Sequence, residues 1–194
     1  MNREKWKQFL LMALLAAVGS ILVGVVFFGH NIFDKNRVGF QFLSFGIIGG
    51  FLFSSYRYLR LWIAGVVVVV LLVLNEALLH SGNWDFIWQD VLYYAAVSVS
   101  LFIFAEYYFT KLAGVALSRL LTVSSLMSVT FTIVTVIFYF VFLGNPSIPR
   151  FNLSQMVYYD LAQGFLLGLG LGAGIEAADY VIRKTTRTPE KSGS

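Results

Sequence analysis

A chain of 194 residues that is 58% hydrophobic and only 12% charged has about half the charged content of a soluble domain, so its composition is that of a membrane protein. It has no cysteine, which excludes disulfides, iron–sulfur clusters, thiolate catalysis and cysteine-based zinc sites. The two histidines, His30 and His80, fall near expected loops and leave a multi-haem protein without axial ligands; the net charge of +4 is too dispersed for a nucleic-acid-binding face, and no nucleic acid is expected as a partner.

A helix needs roughly 20 apolar residues to cross the hydrocarbon core. Six runs qualify, at about 8–28, 38–56, 61–80, 88–109, 117–143 and 156–181. The first follows the basic leader MNREKWK, which would suit a signal peptide. Its apolar stretch is too long for one and no small-x-small cleavage site follows, so it is read as a retained helix. The second ends in FSSYRYLR. The third ends in LNEALLH, where Asn75 and Glu76 sit about a turn inside the outer boundary and His80 lies one turn beyond Glu76. That pair resembles half of a metal site, but no second i, i+4 pair and no HExxH run accompanies it, so no metal is assigned. With Trp84, Trp88, Tyr93, Tyr94, Tyr158 and Tyr159 nearby in the reading, these residues suit either the rim of an outward pocket for a small solute or an ordinary aromatic interface.

The fourth run closes on FAEYYFTK, with Glu106 just above the inner boundary. The fifth carries Ser118, Ser124, Ser125, Ser128, Thr132 and Thr135, read as one arc of hydroxyls. Such groups satisfy themselves on the i−4 carbonyl and more often join helices than line a pore. In the sixth, Asp160, Gly164, Gly168, Gly172 and Glu176 stand four apart and form one ridge, with Asp179 on the same side. GLGLGAG resembles a dinucleotide fingerprint only superficially, because no strand precedes it.

Eleven of the fourteen Lys and Arg residues fall on one side of this arrangement; only Lys35, Arg37 and Arg150 fall on the other. The positive-inside rule then makes both termini cytoplasmic, in the cytoplasmic (inner) membrane of a cell. The expected fold is an all-α membrane protein: a six-transmembrane-helix bundle in one domain, residues 1–184, with a disordered cytoplasmic tail at 185–194. A seventy-residue offset aligns Asp90 with Asp160, Glu106 with Glu176, and Ser98 and Ser100 with Gly168 and Gly170. This suggests three repeated helical hairpins related by an axis along the membrane normal.

The sixth run admits two accounts. In one, Gly164, Gly168 and Gly172 let another helix approach closely, and the acids lie at the rims, where Lys111 and Arg119 reach them. In the other, Asp160 and Glu176 mark outward and inward polar pockets, with Glu106 as a further intramembrane acid and Ser124, Ser128 and Thr132 completing a polar path. A carboxylate deep in lipid costs about 2.5–3.5 kcal/mol on insertion scales, so such acids are functional candidates.

Neither a catalytic nucleophile with its base nor a metal motif is present in the sequence, so an enzyme is not the expectation, and no cofactor is called for. The leading expectation is a solute-binding or transport protein with a polar pocket or path near the third to sixth runs and a small molecule or ion as substrate. In size and orientation, and in ALLAA with Ala13 and Ala17 four apart, the chain looks like the substrate-binding subunits of energy-coupling-factor vitamin transporters. Its second run lacks the proline-containing pattern of that family. The alternative is a membrane anchor, sensor or assembly subunit that acts through a partner membrane subunit or as a homo-oligomer. For this, FAEYYFTK and GIEAADYVIRK look like the membrane anchors that precede bacterial signalling output domains. Glu176→Gln is expected to spare folding and to impair only a transporter or a proton-coupled sensor.

Overall fold

A computed structural model describes residues 3–29, 39–59, 103–111, 116–142 and 153–186, with single helical positions at 63, 70 and 74. Asn75, Glu76, His80, most of the third and fourth expected spans and the stretch bearing Trp84 and Trp88 lie outside the described residues. Within them every regular element is helical and no strand occurs. The long helices are α1 (Arg3–Phe28), α2 (Gly39–Tyr58), α4 (Ala116–Phe142) and α5 (Leu153–Thr186); a shorter helical stretch, α3, covers 103–110. Among the described residues three stretches are long and apolar enough to cross a membrane: Arg3–Phe28, Ala116–Val134 and Val157–Thr185. The helical class and the membrane-compatible character therefore hold.

Side-chain size, more than polarity, decides which face of α1 turns inward. Met12, Ala13, Ala16, Ala17, Ser20 and Gly24 are buried, whereas Leu10, Leu14, Leu22 and Val26 are exposed at every fourth position or its multiple. Both faces are largely apolar, so no water-driven amphipathicity sorts them. Putting small residues inward and bulky aliphatic ones outward is the arrangement expected where lipid replaces water and helices gain by close packing. α1 stops at Gly29, whose φ of 57° supplies the left-handed residue that commonly ends a helix.

The glycines also fix how the helices run. An ideal Cβ built on Gly46 would lie 2.7 Å from Ser20 Cβ, and one on Gly50 would lie 2.5 Å from Ala13 O, so α1 and α2 are antiparallel neighbours. Gly170 meets Ser20 and Gly19 of α1, and Gly174 meets Ala16 and Leu15, which sets α1 and α5 antiparallel as well. Gly164 meets Ser128 and Met127 of α4, Gly168 meets Ser124 and Gly172 meets Leu120. α5 thus lies between α1 and α4. The starts of α1 and α4 and the ends of α2 and α5 gather at one end of the bundle, here called the basic end.

Large residues fill what remains between the seams. Phe42, Phe45, Phe53, Tyr108, Met127, Phe131, Leu167 and Leu171 are all essentially inaccessible. Phe45 of α2 meets Phe131 of α4 edge-on at 5.7 Å, and Phe53 packs against Tyr108 and Phe109 of α3 at 6.1 Å. Edge-to-face aromatic pairs of this kind contribute about 0.5–1.5 kcal/mol beyond their burial. They tie α3 to the end of α2.

Candidate functional site

The run GLGLGAG places a glycine at every second position, and two helical residues span about 200°. Alternate glycines therefore fall on opposite faces of α5. Gly164, Gly168 and Gly172 share the face toward α4; Gly170 and Gly174 share the face toward α1. The sequence reading had the first ridge and missed the second, although the spacing of two carries it. At Gly164, Gly168, Gly170 and Gly174 the volume a side chain would take is already held by a neighbouring backbone, while at Gly172 it is held by the end of the Leu120 side chain. A Cβ on Gly168 would lie 2.6 Å from Ser124 Cα, and a Cβ on Gly170 would lie 2.6 Å from Ser20 Cα.

The hydroxyls on the α4 side are committed locally. Ser124 Oγ donates to Leu120 O at 2.7 Å and Thr132 Oγ1 to Ser128 O at 3.0 Å, both one turn back along α4. Ser128 Oγ reaches across the seam and donates to Leu161 O of α5 at 2.5 Å. Ser20 does the same for α1 and α2, donating to Phe42 O at 3.0 Å. Ser118 and Ser125 turn outward, so the arc divides between them and Ser124, Ser128 and Thr132; the side chain of Thr135 lies outside the described residues.

Just beyond the glycines, at the basic end, α5 presents its acids to three different elements. Glu176 is bound by Arg119 of α4, with Nη2 to Oε1 at 2.5 Å, and the Tyr108 hydroxyl of α3 donates to the same oxygen. Arg119 also lies over the Tyr108 ring, 5.0 Å from its centre, so cation, ring and carboxylate form one closed group. Asp179 accepts from Arg57 Nη1 of α2, whose guanidinium rests on the Phe109 ring at 5.2 Å. The side chains of Arg119 and Glu176 are only 14% and 22% exposed, and those of Arg57 and Asp179 33% and 7%. Pairs this shielded are screened little by salt, and losing one partner costs far more than losing a surface pair.

The sequence-derived candidates are thus distributed along the bundle. Ser124 and Ser128 lie against α5 at Gly168 and Gly164, Thr132 follows one turn further along α4, and Glu176 stands apart from them, about two turns beyond Gly168 at the basic end. Asp160 is half-buried near the opposite end of the same helix, and Glu106 of α3 is exposed. Of the groups that complete the basic end, Arg119 was foreseen as a partner for an acid; Arg57 and Tyr108 were not. Tyr108 could have been found from FAEYYFTK, because Phe104, Ala105 and Tyr108 recur at helical spacing and only that face is buried. No cluster of three or more metal-ligating side chains forms among the described residues.

Tyr108→Phe keeps the ring beneath Arg119 and removes only the donor to Glu176. It is expected to lower stability by about 1.5–3 kcal/mol, the net value of a hydrogen bond to a charged group, seen as a drop in the thermal midpoint in detergent. Comparison with known protein families, with curated proteins and with solved structures gave no match for this chain.

Proposed function

We propose that this chain is a six-span inner-membrane module with both termini in the cytoplasm that acts through a partner, as an anchor, sensor or assembly subunit, and does not itself conduct a solute. The observation that carries this reading is the seating of α5: Gly164, Gly168, Gly170 and Gly174 rest on the backbones of α1 and α4, along the ridge that the polar-path account of the sequence would keep open. Support also comes from the acids. Glu176 and Asp179 are held by Arg119 and Arg57, as expected of groups that fix helix positions. The hydroxyls of Ser124, Ser128 and Thr132 bond to carbonyls of α4 and α5. The bilayer is the protein's solvent, and its functional partner is a second membrane subunit or another copy of itself.

The absence of cysteine makes a direct test simple, because any introduced thiol is unique. Single variants Ser124→Cys, Ser128→Cys and Lys111→Cys are reconstituted in liposomes and treated with a membrane-impermeant maleimide. The exposed Lys111 position is expected to label fast, and the two seam positions to label only after denaturation. Labelling of either seam thiol at a rate near that of Lys111→Cys would mean a hydrated path beside α5. The solute-transport reading of the sequence would then replace this one.

A further inference from the structure

α3 buries one side and leaves the other uncovered. Phe104, Ala105 and Tyr108 are buried against the bundle, while Ile103, Glu106, Tyr107 and Thr110 are exposed, Ile103 by 56% and Tyr107 by 40%. Ile103, Tyr107 and Thr110 stand four and three residues apart and so share one stripe of the helix. The turn continues through Lys111, whose amide donates to Tyr107 O at 3.0 Å, and Lys111 is exposed as well. At about 100° per residue, Glu106 falls on one flank of the stripe and Lys111 on the other. The Thr110 hydroxyl is already satisfied, donating to Glu106 O at 2.7 Å, so nothing in the stripe itself asks for water.

The two flanking charges meet no opposite charge of their own chain. Among the described residues no ion pair engages Glu106 or Lys111, and the group that feels the charge of Glu106 is the phenol of Tyr56 on α2. Lys111 was expected to reach an acid, yet the acids that are held, Glu176 and Asp179, take Arg119 and Arg57. The long outward face of α1, with Leu10, Leu14, Leu22 and Val26, carries no charge along that stretch. α3 differs in setting one charge of each sign beside its uncovered stripe. Their signs and spacing suit a helix that pairs with its own copy. In a parallel helix pair whose stripe residues occupy positions a and d, a charge at g meets the charge at the following e of the other helix. On α3, Ile103 is d, Glu106 is g, Tyr107 is a, Thr110 is d and Lys111 is e.

We propose that the uncovered face of α3 is a self-association surface, and that its occupant is α3 of a second copy of this chain, lying parallel to it. A two-fold axis along the membrane normal puts Glu106 beside the partner's Lys111 and Lys111 beside the partner's Glu106, with Ile103 and Tyr107 near the axis. The inference deepens the reading that the chain acts through a partner. It rests on that reading's six-span arrangement, in which α3 ends the fourth span and all copies enter the bilayer the same way round. An arrangement with one copy inverted would separate the charges, so the orientation and the ion pairs stand or fall together.

The full chain is fused to donor or acceptor fluorescent proteins, reconstituted in liposomes at high dilution, and read by energy transfer. The parent chain is expected to pair. Glu106→Lys creates two Lys–Lys contacts and Lys111→Glu two Glu–Glu contacts. Each should weaken pairing by about tenfold, since two attractions worth a few-fold each become two repulsions. Both changes in one chain exchange the charges and should restore pairing. Mixing the two single variants should give mixed pairs in preference to like ones. The geometry is read separately with single thiols, which are unique in a chain without cysteine. Under mild oxidation Ile103→Cys and Tyr107→Cys should give a disulfide-linked dimer, and Leu14→Cys of α1 and Ile133→Cys of α4 should stay single. Circular dichroism checks that each variant folds, and energy transfer by the parent chain needs no substitution. The proposal is overturned by a monomeric parent chain, by cross-linking at Leu14→Cys or Ile133→Cys in place of the α3 positions, or by an exchanged chain that pairs no better than either single variant. Monomers would leave this face to lipid or to a different subunit without touching the anchor reading. Fast labelling of the thiols at positions 124 and 128 would remove the anchor reading and leave the pairing of α3 in place.

Discussion

Gly174→Ala lowers the unfolding midpoint of the purified chain sharply, while Gly172→Ala, two residues away in the same helix, leaves it nearly unchanged or raises it. The two substitutions add the same methyl group and gain the same helix propensity, about 0.5–1 kcal/mol relative to glycine. What differs is the atom that the methyl meets. At Gly174 it would overlap Leu15 O and lie 2.6 Å from Ala16 Cα, both backbone of a packed helix that moves only as a whole. At Gly172 the nearest atom is Cδ1 of Leu120, with the next at 3.7 Å, and the end of a leucine can change rotamer. Overpacking a well-filled seam typically costs about 1–3 kcal/mol, so Gly174→Ala should lose about 2 kcal/mol net and Gly172→Ala should stay within about 1 kcal/mol of the parent. Gly168→Ala belongs with Gly174→Ala, since it meets Ser124 Cα at 2.6 Å. Thermal or denaturant unfolding in detergent, followed by helical signal, reads all three. Equal effects at positions 172 and 174 would show that helix flexibility at glycine, not seating of α5 on its neighbours, governs these positions.

This contrast marks what the sequence could and could not tell. Helical class was legible because apolar runs of membrane length occur without strand alternation or internal proline in the described helices. The ridge of Gly164, Gly168 and Gly172 was legible from spacing alone. Spacing could not say whether the room a glycine leaves is filled by backbone or by water, because that depends on a neighbour whose identity is a tertiary fact. The hydroxyls of Ser124, Ser128 and Thr132 carry the same ambiguity: a serine reads alike whether it bonds its own helix, as Ser124 does, or the next one, as Ser128 does. The acids were harder still. Glu106 and Glu176 align in the proposed repeat and have similar flanks, yet one is exposed on α3 and the other is held by Arg119 and Tyr108. Sequence marks both as costly in lipid, and only packing shows which cost is offset by a partner.

Glu176→Leu is expected to be among the most destabilising substitutions in the chain, at about 3 kcal/mol or more, because it leaves the guanidinium of Arg119 shielded and without its carboxylate. Glu176→Gln should cost less, about 1–2 kcal/mol, since the amide oxygen still accepts from Arg119 and Tyr108 while the charge that strengthens both bonds is lost. The geometry therefore revises the expectation that Glu176→Gln leaves folding untouched, and any functional loss in that variant has to be judged against its stability. Arg119→Met alone leaves Glu176 with the Tyr108 hydroxyl, so it should fall between these two. The decisive variant is the double one, Arg119→Met with Glu176→Leu, which removes the desolvation cost of both charges along with their attraction. It should regain most of the stability lost by Glu176→Leu, and adding Tyr108→Phe should recover more by removing a hydroxyl that has lost its acceptor. Unfolding of the singles and the double in detergent closes the cycle. A coupling near zero would mean that Glu176 and Arg119 are solvated independently, as acids lining a hydrated path would be. Strong coupling, with the double variant stable and still able to bind its partner, fits a clamp that holds α5 to α4 and carries no proton.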